Sequence, residues 1–95
     1  MPLTRGRPLG YDNERMAFGF TMLNGDETIE CQISGAALNA LLGVRGTPPA
    51  DREAQFLHLR DEIERIASTM FDEKKVRKGA VLRLFYKHIQ KIIGS

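Results

Sequence analysis

The sequence predicts a two-layer α+β domain: an N-terminal β-hairpin, a short helix, a long helix and a C-terminal strand. Three observations carry this expectation. Asn24-Gly25 is a hairpin dipeptide set between two stretches of alternating apolar residues. Phe56, Leu59, Ile63, Ile66, Ala67 and Met70 recur at intervals of three and four, the spacing of an amphipathic helix. Ser34 and Gly43 bracket a short apolar run as an N-cap and a C-terminal glycine bracket a helix.

Residues 1–13 mix Arg5, Arg7, two prolines and two glycines with little periodicity, and read as an irregular arm. Residues 14–95 then form a single domain, with a basic segment over 74–95. With Asn24 and Gly25 as the central turn residues, Phe20 faces Ile29, Phe18 faces Cys31 and Met16 faces Ile33. All six share one parity, hence one apolar face. Ala17, Gly19 and Thr21 lie opposite Gln32, Glu30 and Thr28 on the other. Such a ribbon is marginal alone and needs a cover.

Gly35 to Leu42 reads as a short helix capped by Ser34 and ending at Gly43. Val44 to Pro49 is a turn whose two prolines open the next helix, with Asp51 and Glu53 in its first turn where the dipole favours them. That helix runs from about Pro49 to Phe71 and spans roughly 33 Å. The last segment supports two readings. Val81, Leu84, Phe85, His88, Ile89 and Ile92 fit a helix, while the β-propensity of Val81-Leu82 and Phe85-Tyr86 fits a strand.

Ninety-five residues make one domain with one modest core. No apolar run is long enough to span a bilayer, and the N-terminus lacks the apolar stretch of a secretory signal. A single cysteine allows no internal disulfide, so a cytoplasmic location is expected. The net charge of +2 conceals an asymmetry. Residues 1–50 hold four Arg against five acids, residues 51–73 three Arg against seven acids, and residues 74–95 seven Lys or Arg with no acid.

Several stretches resemble the bacterial domain-of-unknown-function 1488 family. They are Tyr11-Asp12-Asn13-Glu14-Arg15, the Asn24-Gly25 turn, Cys31-Gln32-Ile33-Ser34 and the helix containing Ala37-Leu38. Arg52-Glu53-Ala54-Gln55-Phe56 through Ile63-Glu64 and Ala67 continues the likeness, and Gly79-Ala80-Val81-Leu82-Arg83 closes it. The resemblance covers roughly residues 11–84. It implies a short terminal strand and so tips residues 80–86 toward strand. After Arg83 the sequence departs from the family pattern with Phe85-Tyr86-Lys87-His88-Ile89-Gln90-Lys91. The family's role is unknown, so the resemblance implies a fold and no catalytic residue.

Candidate chemistry is sparse. Cys31 is the one thiol, but its parity puts it on the apolar face as a small buried hydrophobe. His58 and Glu62 stand four apart on the long helix, and two ligands with His88 distant in sequence make no metal site. Asp51, Asp61, Glu62, Glu64, Asp72 and Glu73 read as the solvated face of an amphipathic helix rather than an acid–base pair. No phosphate-binding glycine motif or cofactor motif is present. No catalytic, cofactor-binding or metal residue is therefore assigned, and an enzyme is not expected.

The basic segment is the feature with functional content. Lys74, Lys75, Arg77, Lys78, Arg83 and Lys87, with Phe85 and Tyr86 interleaved, could contact phosphates and stack on bases. The same cations could instead complement a helix end or neutralise the acidic long helix. The leading expectation is a small non-enzymatic binding or regulatory module acting through this surface, on nucleic acid or an acidic protein. The alternative is a protein-interaction or structural subunit docking through Phe85, Ile89, Ile92 and Ile93, or a homodimer paired along a sheet edge. A third reading is a small enzyme whose site is completed at a dimer interface.

Overall fold

The computed structural model describes residues 3–44, 46–74 and 80–85, without the side chains of Pro49 and Lys74. Alternation of apolar and polar residues produces strands β1 (Thr4–Asp12), β2 (Ala17–Asn24) and β3 (Glu27–Ser34). Helices α1 (Gly35–Leu42), α2 (Arg52–His58) and α3 (Arg60–Lys74) follow, and β4 (Leu82–Leu84) ends the described chain. The sheet order is β1-β2-β3-β4, antiparallel except that β4 runs parallel to β3. The helices lie between β3 and β4 in sequence, as a parallel pairing requires.

The α+β class, the hairpin, the short helix and the terminal strand are as expected. The caps of α1 explain its bounds: Ser34 Oγ accepts from the Ala37 N–H at 3.1 Å, and the Gly43 N–H donates to the Asn39 carbonyl at 2.8 Å.

The hairpin register is shifted by one residue at the turn. Gly25 and Asp26 are the central residues, Asn24 pairs with Glu27, and Gly25 alone takes positive φ (62°). A positive φ at the first position only is the type II′ pattern, not the I′ pattern expected for Asn24-Gly25. Phe18 therefore faces Ile33, Phe20 faces Cys31 and Met22 faces Ile29. Moving the turn by one residue preserves parity, so the apolar face survives, but Met22 takes the place expected for Met16. Met16 falls instead in the turn between β1 and β2, with φ 52° and 65% of its surface exposed. Its carbonyl accepts from the Gly35 N–H at 2.9 Å, tying this turn to the start of α1.

Residues 4–12, expected to be an irregular arm, form the edge strand β1. Two register shifts, between Arg5 and Pro8 and between Pro8 and Gly10, scramble its side-chain period and hide it from a period-2 reading. At the first shift Gly6 lies against Thr21, where a Cβ would come within 2.3 Å of the Thr21 carbonyl oxygen. Thr21 Oγ1 accepts from the Arg7 N–H at 2.9 Å. Arg5 then crosses to α3, donating to both carboxylate oxygens of Glu64 (2.9 and 3.0 Å) and to Asp61 (2.6 Å).

The expected single long helix is two, broken at Leu59 (φ −99°, ψ 7°) after a 3₁₀ turn at Pro49–Asp51. Neither Gly nor Pro marks the break. Backbone bonds from Leu59 to Gln55 and from Ile63 to Leu59 carry the ladder across it. The apolar stripe survives: Phe56, Ile63, Ile66, Ala67 and Met70 are buried over the sheet, and Leu59 is half-buried beside them. Opposite them lie Phe18, Phe20, Met22, Ile29, Cys31 and Ile33, with Leu82 and Leu84 of β4. The Phe56 ring stacks on Phe18 at 4.6 Å between centroids and touches Phe20 at 5.0 Å.

Candidate functional site

Because all helices pack on one face, alternation sends the remaining strand residues to an open face. Ala17, Gly19 and Thr21 of β2, Glu30 and Gln32 of β3 and Arg83 of β4 lie there. The parallel register sets Gln32 beside Arg83. Ala17, Gln32, Ser34, Arg83, Leu84, Phe85 and Arg15 line a hollow of about 260 Å³. A second hollow of about 610 Å³ shares Ala17 and Gln32 with it and is lined further by Leu9, Gly19, Asp12, Asn13 and Glu14. Sharing these two residues, the hollows adjoin. Arg15 and Arg83 line the smaller one and Asp12 and Glu14 the larger, with Asp12 beside Arg15 where they meet.

The turn geometry explains why Arg15 is there. Asp12 Oδ1 accepts from the Glu14 N–H at 2.9 Å and the Arg15 N–H at 3.3 Å, closing the turn between β1 and β2. Arg15 Nε lies 3.6 Å from Asp12 Oδ2, with both side chains about half exposed. A pair so loose and wet is worth little, which leaves Arg15 able to meet an anion.

Of the expected contact residues, Arg83 is exposed on this face and Lys74 ends α3. Lys75, Arg77, Lys78 and Lys87 lie outside the described residues, as do His88, Ile89, Ile92 and Ile93. Arg15, Gln32 and Ser34 were not expected. The parity of Gln32 already set it on the open face, but only the neighbour relation of β3 and β4 joins it to Arg83.

A second cluster lies on the helical side. Arg52 is 7% exposed and has no carboxylate within ion-pair distance among the described residues. Its Nη1 donates to Gly35 O at 3.3 Å, to Asn39 Oδ1 at 2.8 Å and to Gln55 Oε1 at 2.8 Å. Gln55 Nε2 donates to Asn39 Oδ1 (3.1 Å) and Thr47 Oγ1 (3.2 Å), and Thr47 Oγ1 donates to Asn39 Oδ1 (2.8 Å). The guanidinium lies 5.4 Å from the Tyr11 ring centroid, and its Nε is buried without a partner. This cluster joins α1, the following loop, α2 and β1. Its geometry is that of a tie between elements.

Cys31 is fully buried, and its thiol donates to the Ile29 carbonyl at 3.7 Å. Burial pushes its pKa up to about 12, with a further contribution from Glu30. At neutral pH it is a protonated thiol without solvent access, so folded protein will not react with a disulfide reagent while urea-unfolded protein will. The linkage has a definite sign. Below about pH 9 both states hold the proton; between about 9 and 12 only the folded state does. Stability therefore falls as pH rises through that window, and Cys31→Ala will show a shallower alkaline decline in melting temperature.

The break at Leu59 places His58 at the end of α2 and Glu62 in α3, where Glu62 pairs with Arg65. Asp61 and Glu64 are paired with Arg5, and Glu64 also with Arg60. Asp51 precedes α2, while Asp72 and Glu73 are exposed near the end of α3. Among the described residues no three His, Cys, Asp or Glu side chains converge as metal ligands, and no helix is long and apolar enough to cross a membrane.

A family model described as a protein of unknown function (DUF1488) matches residues 6–84. The match takes in β1 from Gly6 and runs through β4. The chain is also similar to a crystal structure of a protein of unknown function from the DUF1488 family of Shewanella loihica PV-4. The TM-score is 0.74 at 18% identity, covering 86% of this chain and 90% of that one, a likeness of fold. No curated protein matches.

Proposed function

The chain belongs to the DUF1488 family of proteins of unknown function, and from that premise we propose a non-enzymatic binding module that holds a polyanion, nucleic acid foremost, on the open face of its sheet. The observation that supports this reading is that Arg15 and Arg83, far apart in sequence, line one hollow. Arg83 also sits inside the segment of seven cations and no acid, with Lys74, Lys75, Arg77 and Lys78 before it and Lys87 after it. Nothing in the described core offers a nucleophile: the one thiol is buried and protonated.

The reading predicts a salt law. For about four phosphate contacts, affinity for a short oligonucleotide will fall roughly 50- to 150-fold between 50 and 200 mM salt. Arg15→Ala and Arg83→Ala will each weaken binding and reduce the slope of log affinity against log salt by about one. Fluorescence anisotropy across a salt series measures both. If the pure protein binds no DNA, RNA or polyphosphate at low salt, the reading is lost.

A further inference from the structure

Resting on the polyanion reading of the same face, we propose that its ligand is a single-stranded nucleic acid, with one base stacked on Phe85 and the adjoining phosphate held between Arg15 and Arg83. Phe85 is 45% exposed and lines the same hollow as the two arginines. Arg83 lies in β4 and Phe85 directly follows it, so strand alternation sends both to the open face, about 6–7 Å apart along the chain. A cation and an aromatic ring at that spacing match a phosphate and its base, and stacking tolerates any base because each has a π-face.

The floor suits a planar group. Ala17 contributes only a methyl to the hollow that Phe85 lines, so a ring can lie close to the sheet there between the taller side chains. Gln32 offers an amide donor and acceptor beside it. Ser34 Oγ already accepts from the Ala37 N–H at 3.1 Å, which leaves its hydroxyl proton to donate. Carboxylates limit length and strandedness. Asp12 and Glu14 line the adjoining hollow, Asp12 with its Oδ2 3.6 Å from Arg15 Nε, and Glu30 stands exposed on β3. The two backbones of a duplex would run onto these carboxylates, whereas a single phosphate has only to displace Asp12 from its loose pair with Arg15.

The sequence has no tryptophan, so Phe85→Trp installs a unique fluorophore at the stacking position. The full-length variant is titrated at 50 mM salt with a six-nucleotide RNA, the same DNA, a blunt duplex and inorganic polyphosphate of matched charge. Expected are quenching of the indole emission by both single strands and none by polyphosphate. Single strands should also bind unsubstituted protein at least tenfold more tightly than duplex or polyphosphate. Phe85→Leu should then lose about 5- to 100-fold of oligonucleotide affinity and leave polyphosphate binding unchanged. If polyphosphate binds as well as the oligonucleotides, or single strands bind without quenching, stacking is wrong while polyanion binding stands. If nothing binds, the underlying reading fails with it.

Discussion

Phe56→Ala will remove about 3–5 kcal/mol of stability, the cost of truncating a buried phenylalanine together with the cavity it leaves. The ring is fully buried and stacks on Phe18 while touching Phe20, so it is the joint between the helical layer and the two central strands. The Arg60 guanidinium also lies 5.8 Å from its centroid, closing the outer side. A domain of this size has on the order of 5–10 kcal/mol in total, so the variant is expected to lose about a third of its stability or more. Urea unfolding followed by far-UV circular dichroism measures it, and Phe56→Leu should retain most of the lost stability. A loss below about 1 kcal/mol for the alanine would mean the two layers are joined elsewhere.

Arg52→Ala is the second large effect, about 1–3 kcal/mol by a different route. Its guanidinium serves three acceptors, but they do not suffer equally when it goes. Asn39 Oδ1 keeps donors from Thr47 and Gln55, and Gly35 O keeps its place in the helical ladder of α1, whereas Gln55 Oε1 loses the partner that Arg52 supplied. A buried acceptor left unmade costs about 1–3 kcal/mol, which sets the expected range. Arg52→Lys should rescue only in part: an ammonium can donate to the acceptors that Nη1 alone serves, but it gives up the flat guanidinium face beside Tyr11. The double variant Arg52→Met/Gln55→Met should be more stable than the sum of the single changes, since removing both partners leaves fewer orphaned groups. Thermal melting of the four proteins closes the cycle; strict additivity would contradict the network.

Much of this architecture is legible from residue order because the rules that write it are local. The parity of Phe18, Phe20, Cys31 and Ile33 sets the buried face, and Ser34 with Gly43 bounds α1. The stripe from Phe56 to Met70 shows which side the helices bury. What escaped depends on longer range. A one-residue slip at the turn costs nothing in parity, so the pattern could not choose between Met16 and Met22. β1 was hidden because its two bulges, Pro8 and Gly10 abolish alternation, and its ties (Arg5 to Glu64, Leu3 N–H to Ser68 Oγ) join residues more than fifty apart. The break at Leu59 has no Gly or Pro to announce it. The candidate site was half visible: Arg83 stands in an obvious run of cations, but Arg15 joins it only through the strand order, which no local pattern encodes.

The two borders of the sheet are not alike. Along β1 the bulges, Pro8 and the close fit of Gly6 on Thr21 spoil the straight row of donors and acceptors that another strand would need. The other border, among the described residues, is the three-residue strand Leu82–Leu84. A long added strand therefore finds no matching row along β1, and that side of the sheet is protected from edge-to-edge growth without any covering element.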